Sequence, residues 1–432
     1  MEPLAPQQLS IFLAQIGVLL ALALVLGRAA GRVGLPAVTG ELCAGILVGP
    51  SILGLVSPDI HHWLVPDRGE QFHLLDAFAQ VCVILFVGLA GTQMDLALAR
   101  RRKVVAIKVS LGGLIVPFVL GWGIGYLLPG RLVADSTDRL VFALFLGVAM
   151  SVSALPVIVK TLTDMRLLHR NIGQLTVIAG MIDDVVGWLL LSIVSVMATT
   201  GLDGYGAGRS LIYLVLFLLG ALTVGRLAIG RLFRVIERSS EPGLLEAGVV
   251  VSLLAGAWAT LALHLEAVLG AFVFGMLIRS TDVVDARRLA PLNTIVMSVL
   301  APVFFATAGL RMDLTYLGEP VVLGAAAVIL LVAVTGKFAG AAIGAFLSRL
   351  DRWEALALGA GMNSRGVVQI VVAMAGLRLG VLNAETYTII VLVAIATSLM
   401  APPIIRYSAT RIDHTAEERL REEGLTDQID QR

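Results

Sequence analysis

Two adjacent carboxylates, Asp183 and Asp184, stand in the middle of the apolar stretch GQLTVIAGMIDDVVGWLLLSIVSVM (173–197). The stretch is long enough to cross a bilayer. A charged side chain at that depth costs at least ~2.5–3.5 kcal/mol on insertion scales, so one aspartate needs a partner and two side by side need a use. A buried carboxylate can hold a proton or a metal cation, and alternating between them would carry both across a membrane. The plainer alternative is a short aqueous loop at the pair, but Gly180 is the sole turn-forming residue just before it and Val185-Val186 follows.

Lys337 lies inside another apolar run, LLVAVTGKFAGAAIGAF, too central for its ammonium to reach an interface. A buried ammonium loses its proton or finds an acid. The deep acids available are Asp183, Asp184 and Glu41, the last inside AVTGELCAGILVG. Glu41 could stay protonated or line an entry funnel.

Two further runs are interrupted near their centres. VFALFLGVAMSVSALPVIVK carries Ser151, Ser153 and Pro156, and GMNSRGVVQIVVA carries Asn363, Ser364, Arg365 and Gly366. Backbone groups freed by such breaks need partners, and irregular backbone survives in a membrane only inside protein or along a cavity. Serine hydroxyls and freed carbonyls at such breaks could complete a shell around a cation held by the acids.

These residues need many membrane-crossing elements to position them. The chain has 432 residues, 58% hydrophobic and 15% charged, with net charge +1. Soluble proteins average about 25% charged, and the deficit here runs along the whole length, as expected of an all-α polytopic membrane protein. Nothing suggests nucleic acid. Cys43 and Cys82 lie in apolar runs and read as packed thiols. The first apolar run lacks a basic leader and a cleavage site and is read as a retained span.

Runs of about 17–25 apolar residues mark spans. Thirteen are expected, near 9–27, 36–56, 72–93, 104–128, 139–160, 173–198, 209–229, 243–263, 266–279, 291–310, 319–347, 353–377 and 384–405. With the N-terminus outside, inside loops hold 18 Lys and Arg against 6 outside, in line with the positive-inside rule. That orientation makes residues 408–432 a short, charged cytoplasmic tail after a membrane domain of residues 1–407.

The halves echo one another. FVGLAGTQMDL (86–96) resembles FFATAGLRMDL (304–314), GVAMSVSALPVI (147–158) aligns with GAGMNSRGVVQI (359–370), and GELCAGILVG (40–49) is echoed by GAFVFGMLIR (270–279). Mates lie seven spans apart, so the halves have opposite orientation. Inverted repeats whose mates include two interrupted helices mark secondary transporters, with the site at the breaks. Asp95 and Asp313 sit at span ends as caps or interface residues. The six histidines lack metal spacing. No HExxH, GxSxG, Walker or GxGxxG context occurs, so an enzyme and a bound cofactor are not expected.

Together, LPAVTGELCAGILVGPSILG (35–54), SVSALPVIVKTLTDMRLL (151–168), the Asp183-Asp184 pair, GKFAGA (336–341) and GMNSRGVVQIVVA (361–373) resemble the cation/proton antiporter-2 family, in its plant CHX-type and cyanobacterial branch. The resemblance covers residues 9–405. It implies a homodimer of thirteen-span protomers with the NhaA-like antiporter fold, in which two broken helices cross. Spans 1–3 and 8–10 would form a dimerisation part, and spans 4–6 and 11–13 a core transport part. Asp184 would alternately bind a proton and the transported Na⁺ or K⁺, and Asp183 would pair with Lys337. Arg365 would support the second break. Gln369 stands where many relatives carry an acid, and Asp183 where many carry Asn or Gln; the double aspartate implies electrogenic exchange. The membrane implied is a bacterial cytoplasmic one. The rival readings are a sodium-coupled symporter of an organic solute, a cation channel and a membrane enzyme.

Overall fold

The computed structural model describes residues 6–66, 69–94, 103–134, 137–165, 167–168, 170–200, 204–239, 241–281, 284, 286–413 and 418. Asp95, His169, His414 and most of the expected tail (414–417 and 419–432) lie outside the described residues. Among those described, every regular element is a helix. The principal ones are α1 (Pro6–Arg32), α2 (Ala37–Val48), α3 (Gly69–Thr92), α4 (Lys103–Leu127), α5 (Arg139–Ser151), α6 (Leu155–Asp164) and α7 (Asn171–Thr200). There follow α8 (Ile212–Glu237), α9 (Leu244–Ala262), α10 (Ala267–Ser280), α11 (Ala290–Leu310) and α12 (Pro320–Phe346). The chain closes with α13 (Arg352–Met362), α14 (Val367–Arg378) and α15 (Ala384–Ala409).

Ten segments are long and apolar enough to cross a membrane, α2 counting together with the short helix that follows it (Ala37–Val56), and α13 with α14, bent by 42°, makes an eleventh. The expectation of thirteen spans is not met by length. Its fifth span is cut into α5 and α6, of 13 and 10 residues, and its ninth is the 14-residue α10. A continuous spanning helix needs about 20 residues, so neither passes alone. The cause of the first shortfall is the break itself.

Glycine decides which helices meet. Gly45 of α2 and Gly309 of α11 each back onto the other helix's main chain so closely that neither position has room for a Cβ. Gly91 of α3 and Gly275 of α10 do the same. These contacts are mates under the repeat, since Gly45 matches Gly275 and Gly309 matches Gly91. Gly112 of α4 and Gly340 of α12 each abut the other's carbonyl. Such close approach lets dispersion and packing hold helices where lipid removes the hydrophobic drive between them. The main pairings fall in two sets. One joins α1, α2, α3, α9, α10 and α11; the other joins α4, α5, α7, α12, α13 and α15.

Candidate functional site: a buried charge cluster at two helix breaks

α5 ends at Ser151, and residues 152–154 run extended before α6 begins. Pro156 falls in the first turn of α6. There its missing amide removes no intrahelical bond, so it starts the second helix of the interrupted run. The second break runs from Asn363 to Gly366 between α13 and α14. Gly366 holds φ +157° and ψ −108°, a conformation open mainly to glycine. The two breaks bond to each other. The Ala154 amide donates to Ser364 O at 3.1 Å, and Ser153 Oγ lies 2.8 Å from Met362 O, its one hydrogen shared between that carbonyl and Asp183.

α7 brings its two aspartates to this crossing. Asp183 is fully buried and fully engaged. Its Oδ1 accepts from Ser110 Oγ at 2.6 Å, and its Oδ2 accepts from Ser153 Oγ at 2.7 Å and from Lys337 Nζ at 2.8 Å. Lys337 Nζ also donates to Gly113 O at 2.9 Å and to Ser151 O. Both oxygens of the carboxylate meet donors, and all three hydrogens of the ammonium meet acceptors, as a buried ion pair needs.

Asp184 is different. Its side chain is 3% exposed, and its Oδ1 has no hydrogen-bond partner. The Leu155 amide, first of α6, interacts with this carboxylate, so a helix N-terminus faces the acid. That is the favourable end for an anion.

The other sequence candidates divide. Ser151 contributes its carbonyl to Lys337, while its hydroxyl donates to Val148 O at 2.9 Å within its own helix. Ser153 contributes its hydroxyl to Asp183. Arg365 is fully buried and meets carbonyls: Nη2 donates to Ala333 O at 2.9 Å and Nη1 to Ala149 O at 3.4 Å. Ala149 and Ser151 lie in the last turn of α5, whose negative end is thus met by two cations. Asn363 is in no ion pair; both of its side-chain polar atoms are buried without a hydrogen-bond partner, as is Ser364 Oγ. Gln369 is buried and donates to Ile390 O at 3.3 Å. Glu41 lies apart from the cluster, in the wall of a cavity of about 680 Å³. Asp313 caps its own turn by accepting from the Thr315 amide.

Ser110 is the residue that the sequence reading missed. Its signal was a lone serine in the apolar KVSLGGLIVPF of α4, next to the glycines that admit α12. At the crossing, then, two acids (Asp183, Asp184) and two bases (Lys337, Arg365) are buried together. With Asp184 ionised their charges cancel, so a proton or a monovalent cation on Asp184 adds one positive charge. No group of three or more metal-ligating side chains occurs among the described residues.

A helical membrane bundle with two crossed breaks around a buried, half-satisfied acid pair defines a secondary ion transporter. The chain belongs to the sodium/hydrogen exchanger family, whose profile, described as "Sodium/hydrogen exchanger, transmembrane", matches residues 18–408. It is 30% identical over 404 residues to the Na⁺/H⁺ antiporter NhaS4 of Synechocystis, covering 92% of this chain and 97% of that protein. It is 28% identical over 401 residues to the Na⁺/H⁺-K⁺ antiporter GerN of Bacillus cereus, covering 92% and 96%. Cation/H⁺ antiporter 20 of Arabidopsis thaliana matches at 31% over 389 residues, and the chain spans 45% of that longer protein. The fold resembles that of the sodium proton antiporter MjNhaP1 of Methanocaldococcus jannaschii, with a TM-score of 0.67 over 93% of this chain and 97% of the other, at 17% identity.

Proposed function

We propose that this protein exchanges a monovalent cation, Na⁺ or K⁺, for protons across a bacterial cytoplasmic membrane, with Asp184 as the carboxylate both ions share. One observation carries the assignment: of two adjacent buried acids, Asp183 is saturated by Ser110, Ser153 and Lys337, while Asp184 keeps an oxygen without a donor. The ionised Asp184 attracts a cation into the crossing. Carbonyls of the breaks and the Asn363 and Ser364 side chains are the oxygen donors at hand. Protonation of Asp184 removes the attraction and releases the cation.

The two sets of helices supply the movement. Spans 4–6 and 11–13, carrying the crossing, act as the core transport part and slide against a dimerisation part of spans 1–3 and 8–10, two protomers joining through the latter. The N-terminus lies outside and the charged tail inside. Antiporter relatives favour this reading, and the organic-solute symporter alternative gains no support from them. The test is proton flux in proteoliposomes against Na⁺ and K⁺ series, with and without valinomycin. Cation-driven proton movement that Asp184→Asn abolishes is expected. Unchanged exchange in a well-expressed Asp184→Asn protein defeats the assignment.

A further inference from the structure

The cavity of about 680 Å³ joins the two helix sets. One wall is Glu41 of α2 with Phe86 of α3 and Phe305 of α11; the other is Val157 and Thr161 of α6 with Val367, the first residue of α14. Val367 adjoins the second break. Val157 is two residues from Leu155, whose amide faces Asp184. The cavity therefore runs along α6 toward the crossing, with Val157 and Val367 as its lining residues nearest the two breaks.

Glu41 is the only acidic residue among the described residues lining it; the basic ones are Lys160 and Arg406, both exposed at its rim. The position of Glu41 is rigidly set. Gly40 presses α2 onto the α1 backbone at Leu26, and Gly45 presses it onto α11. The Glu41 side chain, Cγ and Oε1 alike, lies against Gly27 of α1, and the residue forms part of the cavity wall. No hydrogen bond or ion pair engages that carboxylate among the described residues. A structural acid inside a span is normally paired; this one is held still, unpaired, and set in the wall of a cavity beside a cation site.

We propose that Glu41 is a second, transient cation station, where an alkali cation entering the cavity pairs with its carboxylate before moving along α6 to Asp184. This rests on the antiporter reading. A carboxylate fixed in a low-dielectric wall concentrates cations in the cavity and offsets the repulsion of Lys160 and Arg406.

Exchange is measured in oriented proteoliposomes with Na⁺ or K⁺ series added from each face. Glu41→Gln is expected to raise the cation KM roughly tenfold from the cavity face alone, with the maximal rate falling much less. Glu41→Asp retains a KM within about threefold of the parent. An unchanged KM from both faces overturns the proposal, and so does a lowered maximal rate at constant KM. Should Glu41→Gln fail to accumulate, the unaltered protein is treated with dicyclohexylcarbodiimide and Glu41 modification is followed by mass spectrometry. Slower modification in Na⁺ or K⁺ than in choline is expected; indifference to the cation overturns the proposal. Failure of the antiporter reading itself looks different, because the unaltered protein then moves no protons in response to either cation.

Discussion

Lys337 Nζ lies 2.8 Å from Asp183 Oδ2, and both side chains are wholly buried. The ammonium thereby neutralises the first aspartate of the pair and leaves the second available. The division of labour between neighbouring acids follows from this one distance. Lys337→Met strands the Asp183 charge, at a cost of about 3–5 kcal/mol for a broken buried pair. The expected result is a marked loss of thermostability in detergent, largely restored by the double change Lys337→Met with Asp183→Asn. A double mutant no more stable than the single one argues against the pair.

Asp184→Asn removes a charge that no side chain compensates directly. Its expected phenotype is a stable, well-expressed protein without exchange, read as loss of cation-induced ΔpH dissipation in everted vesicles. Asp183→Asn, which leaves the buried Lys337 short of its partner, lowers thermostability instead. If the two substitutions have interchangeable effects on stability, the asymmetry described here is wrong.

Competition at one carboxylate sets the pH dependence. Below the pH at which Asp184 takes up its proton, each unit of acidification raises the apparent cation KM by about tenfold. Above it the KM is flat, and the rate falls for lack of protons to carry. Kinetics across a pH series distinguish this from an independent pH sensor, which would alter the maximal rate at constant KM.

Ser110→Ala deletes one of the three donors on Asp183. A hydrogen bond to a charged group contributes about 1.5–3 kcal/mol, so a moderate loss of thermostability is expected. A sharper readout is cation affinity: with Asp183 less well neutralised the site is more negative, and the cation KM at alkaline pH, where no proton competes for Asp184, falls. Restoration by Ser110→Thr and not by Ser110→Val identifies the hydroxyl as the cause.

Gly45 and Gly309 set the α2–α11 contact, and a side chain at either forces the helices apart. Gly309→Leu is expected to cost at least ~1–3 kcal/mol by overpacking and to lower expression. Gly17→Ala, in open space on α1, is the control. Replacing a helical glycine there is expected to leave thermostability unchanged or raise it by up to ~1 kcal/mol.

Tyr387 is fully buried on α15 and donates its hydroxyl to Ala308 O of α11 at 2.7 Å, across the two helix sets. The proposed sliding of one set against the other would break this bond. Tyr387→Phe weakens the described state by about 0.5–1.5 kcal/mol, which is expected to raise cysteine accessibility from the face opposite the cavity. Unaltered accessibility would show that this contact does not hold the state.

The amino-acid sequence by itself determined the helical membrane class, the place of the buried charges and the location of both breaks. Each is a local property. Apolar run length reports bilayer crossing, a carboxylate within such a run reports a need for compensation, and Ser, Pro and Gly at matched points of a repeat report interrupted backbone. Partnership was beyond that reach. Spacing left Lys337 three acids to choose from, and the family resemblance alone pointed to Asp183; the physical cause is α12 lying against α4 through Gly112 and Gly340, which carries the ammonium to Asp183. Ser110 entered by the same contact. Ser151 turned out to act through its carbonyl, because α5 ends there. Glu41 gained its meaning from a cavity between helix sets far apart in the chain. Which groups touch depends on which helix faces meet, and only the folded bundle decides that.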